Sequence, residues 1–100
     1  MSAPQVRAQH DELKNLQNIF KAQSDAISQM NQNLKARFDT LQGGDWIGVG
    51  ANAYFNEMNG SVFPALNRLR NALSEAARIT GQISDLMRQA EDDASRCMHI

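Results

Sequence analysis

The chain has one hundred residues, enough for a single domain, with 42% hydrophobic and only 6% aromatic side chains. Ten basic residues stand against eleven acidic ones, a formal net charge of −1 that excludes the basic footprint of a nucleic-acid binder and disfavours a cationic membrane-surface helix. No run approaches the ~18 apolar residues of a membrane span, no signal-peptide-like run opens the chain, and the lone Cys97 allows no internal disulfide.

The first element is expected over about residues 4–42. Val6, Leu13, Phe20, Ile27, Leu34 and Leu41 recur every seven residues, and Leu16 and Met30 follow Leu13 and Ile27 by three. Only a helical period brings such positions to one face. Ile19 and Phe38 widen the stripe, while Lys21–Asp25 and Lys35–Asp39 sit at helical spacing on the polar faces. Ser2-Ala-Pro-Gln5 has the form of a capping box, with Pro4 tolerated in the first turn.

Residues 43–50, Gly-Gly-Asp-Trp-Ile-Gly-Val-Gly, break the pattern and form the expected turn. A second helix is expected over about 51–95. Phe55, Val62, Leu69, Ala76, Ile83, Ala90 and Cys97 again fall every seven residues, and Met58, Leu66, Leu73, Met87 and Ala94 fill neighbouring positions. Pro64 removes one backbone hydrogen bond and presses its ring on the carbonyl of Gly60. Because the heptad phase survives, a kink near 60–64 is expected rather than a break. The other option is a short helix ending at Asn59-Gly60, with Ser61 capping the next.

The expected fold is therefore all-α: an antiparallel two-helix hairpin forming one domain over residues 1–100. Two helices touch along one line, so a hairpin alone leaves Ile19, Phe38, Ile79 and Leu86 as an exposed apolar band. Pairing two hairpins into a four-helix bundle covers it, and a dimer is expected. The expected hairpin and dimer core is Leu13, Leu16, Phe20, Ile27, Met30, Leu34, Leu41, Phe55, Met58, Val62, Leu66, Leu69, Leu73, Ile83 and Met87.

Little catalytic chemistry is on offer. His10 and His99 lie near the two ends without ligand spacing to Cys97, and read as solvent-exposed; no metal or cofactor is expected. Cys97, on a seam position, reads as a small buried hydrophobe, with a cross-linking thiol as its alternative. Glu91, Asp92 and Asp93 read as solvated helix surface supported by Arg88–Asp92 and Asp92–Arg96 at spacing four. The glycine-rich turn lacks the Gly-Lys-Ser/Thr of a phosphate loop, and the arginines lack interleaved aromatics. Trp46 is the exception: either it folds back to plug the end of the hairpin, or it forms part of a recognition surface, and one half-buried ring can do both.

Trp46-Ile47-Gly48 is a W-x-G tripeptide at mid-chain between two heptad helices, followed by small residues leading to Tyr54, eight positions after the tryptophan. In this the chain resembles, over nearly its whole length, the WXG-motif hundred-residue family of type VII secretion substrates, the early-secreted-antigen-like or Esx proteins. The resemblance implies a homodimeric or heterodimeric four-helix bundle with Trp46 and Gly48 at one end. It also implies export without a cleaved signal peptide, through a membrane-embedded secretion ATPase. In the family, the export signal joins the W-x-G turn of one subunit to a Tyr-x-x-x-Asp/Glu tail of its partner. The only tyrosine here is Tyr54, so that tail motif is missing. A looser tail pattern is met by Met87, Glu91, Ala94 and Met98. Either a partner chain carries the tyrosine, or the methionine variant suffices, or export is lost.

The leading expectation is a non-enzymatic secreted protein that also serves as secretion partner or chaperone for a co-secreted effector or toxin. The alternative is a cytoplasmic helical adaptor that binds a toxin or other protein and is not exported. A membrane-active hairpin is disfavoured by the balanced charge.

Overall fold

A computed structural model describes the backbone of residues 4–97 and the side chains of residues 7–97. The chain is an all-α helical hairpin, with no strand among the described residues. Helix α1 spans Pro4–Gln42, α2 Val49–Glu57 and α3 Phe63–Cys97, with α2 running into α3 through a π-helical turn at Met58–Val62. Pro4 occupies the first position of α1, where its missing N–H is no loss. The capping-box serine, Ser2, lies outside the described residues. α1 ends on Gly43, whose N–H bonds the Asp39 carbonyl at 2.9 Å, and Gly44, whose N–H bonds that of Leu41 at 3.2 Å.

The π turn answers the conflict at Pro64. In an α-helix Pro64 would leave the Gly60 carbonyl without a donor and crowd it with the pyrrolidine ring. One widened turn resets the ladder, and the Phe63 N–H reaches back to the Met58 carbonyl. The helix therefore continues through the site.

The chain divides into two compact units. The described part of the first comprises residues 4–22 and 73–97. In it His10 Nδ1 and the Ser84 hydroxyl share a hydrogen bond at 2.9 Å, and Gln17 lies against Gly81, so α1 and α3 run antiparallel. Ala77, Thr80 and Ser84 are buried, and the Thr80 hydroxyl donates to its own helix at the Ala76 carbonyl. The second unit is Gln23–Ala72. There the Ser24 hydroxyl donates to the Arg70 carbonyl at 3.3 Å, and Asn31 Nδ2 donates to Asn67 Oδ1 at 3.0 Å. Beyond these rungs Phe38 is buried among other rings.

The line along which α1 meets α3 is thus made of small and polar residues. His10, Gln17, Ser24, Asn31 and Phe38 recur every seven, three positions before Leu13, Phe20, Ile27, Leu34 and Leu41. Three residues turn a helix back by about 60°, so the apolar heptad flanks the contact line. Small side chains let the backbones approach until a serine hydroxyl reaches the opposite main chain. Phe38 is a correction to the expected exposed band: it is only 4% exposed, because it continues the contact line. Ile19, Ile79 and Leu86 are exposed.

Among the expected core residues, Leu13, Phe20, Ile27, Phe55, Met58, Val62, Leu66, Leu73 and Met87 are half-buried. Leu16, Met30, Leu34, Leu41, Leu69 and Ile83 remain exposed in the single chain. Three further expectations are corrected. Cys97 is exposed rather than buried, at the end of α3. His10 is half-buried against Ser84 rather than solvent-exposed, and His99 lies outside the described residues. The arginines of the tail pair at spacing three, Arg88 with Asp85 at 3.0 Å and Arg96 with Asp93 at 3.9 Å, rather than with Asp92 at spacing four.

Candidate functional site at the Trp-Ile-Gly turn

The turn is built by one backbone conformation and one cluster of rings. Gly48 adopts φ 119° and ψ −175°, a region that only glycine occupies without strain. No heavy atom lies within 4 Å of the place a Cβ would take, so backbone conformation rather than crowding demands glycine here. Its carbonyl accepts from the Asn52 N–H at 3.0 Å, which starts α2 at Val49 and draws Gly50 into the first helical turn.

That reversal returns the chain so that Trp46 meets the first residues of α2. Its ring centroid lies 5.3 Å from both Tyr54 and Phe55. Phe55 sits edge-on to Phe38 at 5.2 Å, and Phe38 edge-on to Phe63 at 5.3 Å. Of the chain's aromatic residues only Phe20 stands outside this cluster. Each ring pair at such spacing contributes about 0.5–1.5 kcal/mol beyond its area burial. Ala51, near the start of α2, is buried at 1% exposure.

Trp46 nevertheless stays 41% exposed, and its neighbours Ile47 and Val49 are 84% and 88% exposed. The turn therefore displays a patch of one half-buried indole and two bare aliphatic side chains. The geometry also explains the form of the motif. The first position holds the ring cluster, the third reverses the chain, and the middle residue points to solvent and is free to vary.

This arrangement joins a W-x-G turn to two helical arms, and a family model described as proteins of 100 residues with WXG matches residues 5–92. The chain belongs to this WXG family. WXG proteins are small helical proteins of type VII, ESX-type secretion and are in general not enzymes. No curated protein and no solved structure matches the chain.

The second candidate region of this WXG protein is its tail. Met87 and Glu91 are half-buried and Ala94 is exposed, while Met98 lies outside the described residues. Met87 lines an open apolar groove in the first unit with Leu13, Leu16 and Ile83, bordered by Ala8, Gln9 and Glu12. The fold thus brings one tail candidate together with three of the expected core residues. It does not gather metal ligands: no group of three or more His, Cys, Asp or Glu is placed to hold an ion among the described residues. None of the described helices is long and apolar enough to cross a membrane.

Sequence reasoning missed Phe38 and Phe63 as members of the ring cluster, and missed the polar contact line. A signal for Phe38 and for the contact line was present, because His10, Gln17, Ser24, Asn31 and Phe38 keep the same seven-residue period as the leucines.

Proposed function

We propose that this WXG protein is a type VII secretion substrate exported as a folded dimer, with Trp46 and Gly48 forming the turn recognised by the secretion ATPase. The observation that carries this reading is the half-exposed Trp46 ring, held on Tyr54 and Phe55 by the Gly48 reversal. A rigidly seated ring costs little ordering entropy on binding and offers a large contact area. The dimer forms over the partly exposed apolar side chains Leu16 and Ile83 in the first unit and Met30, Leu34 and Leu69 in the second. Met87, Glu91, Ala94 and Met98 are the candidate tail element of the export signal. The tail without tyrosine favours a heterodimer in which a related WXG chain carries Tyr-x-x-x-Asp/Glu. In that pairing this chain serves as secretion partner for an effector or toxin.

Export in the native secreting strain tests the reading. Trp46→Ala and Gly48→Ala should abolish appearance of the protein in the medium while a dimer remains in the cell, and Ile47→Ser should export normally. Undiminished export of Trp46→Ala removes the role assigned to the turn. Retention of the wild-type chain in the cytosol of a strain with working secretion supports the adaptor reading instead.

A further inference from the structure

Met58–Val62 joins two helical runs whose inward faces are out of step by one residue. Within the second unit, Phe63, Asn67 and Arg70 all face α1. The Phe63 ring meets Phe38, Asn67 Oδ1 accepts from Asn31, and the Arg70 carbonyl accepts from Ser24. Spacings of four and three put these positions on one side of a helix. Carried back at the same period, an uninterrupted α-helix would turn Asn56 and then Val49 toward α1. Both are exposed. Phe55 takes that place instead, with its ring 5.2 Å from Phe38, and Ala51 is buried one turn before it.

Phe63 stands eight residues after Phe55. In a regular α-helix that interval leaves two side chains about 80° apart, whereas an interval of seven leaves them about 20° apart. The Phe63 N–H closes on the Met58 carbonyl, and a turn closed in this way holds one residue more than an α turn. One residue is worth about 100° of rotation, which cancels the 80° offset to within about 20°. Both rings thereby stand edge-on to Phe38, at 5.2 Å and 5.3 Å. Pro64 fixes where the surplus residue sits, because an α turn at this place would need the N–H that proline lacks. The surplus brings no packed side chain of its own. Asn59, Gly60 and Ser61 are exposed, and no heavy atom lies within 4 Å of a Cβ placed on Gly60. We infer that the Met58–Val62 turn is a phase-setting insertion, whose one surplus residue positions Phe55, and through it Trp46, against Phe38. The use of that seat in export rests on the function proposed above.

Trp46 is the one tryptophan of the chain, so its fluorescence reports the seat directly. Deleting Gly60 together with Pro64→Ala gives an uninterrupted α-helix in which Phe55 and Phe63 are seven residues apart. This variant should fold with wild-type helical circular dichroism, wild-type emission and wild-type protection of the indole from acrylamide. Duplicating Gly60 with Pro64 kept adds a second surplus residue and should turn Phe55 about 100° away from Phe38. Its emission should move to the red and its protection from acrylamide should be lost, with helix content retained. The inference is overturned if the deletion variant unfolds or exposes its tryptophan, and equally if the duplication leaves emission and quenching unchanged. Export of the same two variants separates the seat from its use. A duplication variant that loses the seat and is still exported upholds the phase-setting turn and overturns the recognition of Trp46.

Discussion

The Trp46 ring meets Phe55 at 5.3 Å with the planes 71° apart, and this contact, with the one to Tyr54, ties the tip of the turn to the ring cluster between the helices. Because Phe55 lies edge-on to Phe38, displacement of the tryptophan is felt at the most buried ring of the unit. Trp46→Ala should therefore lower stability by roughly 1–3 kcal/mol, less than a fully buried tryptophan would, and Trp46→Phe should recover most of it. Chemical unfolding of the three proteins measures the ordering. An alanine variant as stable as wild type would sink the plug role of the ring.

Gly48→Ala should cost about 1–3 kcal/mol through backbone strain alone. Since nothing crowds the missing Cβ, a D-alanine placed there by chemical synthesis should fold as well as glycine. Equal loss with both enantiomers would mean that crowding, not conformation, demands the glycine. Ile47→Ser, at a position 84% exposed, should move stability by less than about 0.5 kcal/mol.

Phe38→Ala should be the most damaging single truncation in the second unit, about 3–5 kcal/mol, because it empties the space shared by Phe55 and Phe63. Ile19→Ala, at a residue 54% exposed, should cost far less in the monomer. Thermal unfolding at low protein concentration separates the two, and comparable losses would contradict the burial pattern.

Gly81→Ala tests the contact line of the first unit. The added Cβ would run into Gln17 Nε2, the end of a flexible side chain that can swing aside. Alanine in mid-helix is worth about 1 kcal/mol over glycine, so the variant should be neutral or slightly stabilised. A loss above about 1 kcal/mol would show that Gln17 is held rigidly in place.

Glu75 accepts a hydrogen bond from Arg78 Nε at 3.0 Å, and this bond holds its carboxyl below the ordinary carboxylate range. A lowered value in the folded state contributes stability above the unfolded carboxyl's pKa, lost as pH falls through the folded one. Both side chains are exposed, so the effect on stability is small. The carbon-13 titration midpoint of the Glu75 carboxyl should rise in Arg78→Ala. An unchanged midpoint would dissolve the pairing.

Much of this molecule is legible before any coordinates. Heptads on either side of a glycine-rich segment require two helical arms, and Trp46-Ile47-Gly48 marks both the reversal and the family. The site is legible in name but not in mechanism. Phe38 shares the seven-residue period of the contact line, but nothing in the local sequence of Phe63 distinguishes a ring of the cluster from one left on the surface.

The helical period, the place of the turn and the identity of its motif follow from residues close along the chain. Which of two adjacent heptads lies between the helices is settled by packing between distant segments. Ser24 and Ile27 sit about 60° apart on one helix and satisfy the same period. Close backbone approach favours the small one, and the Ser24 hydroxyl finds the Arg70 carbonyl forty-six residues away. Ile27 and its heptad partners are thereby moved to the flank.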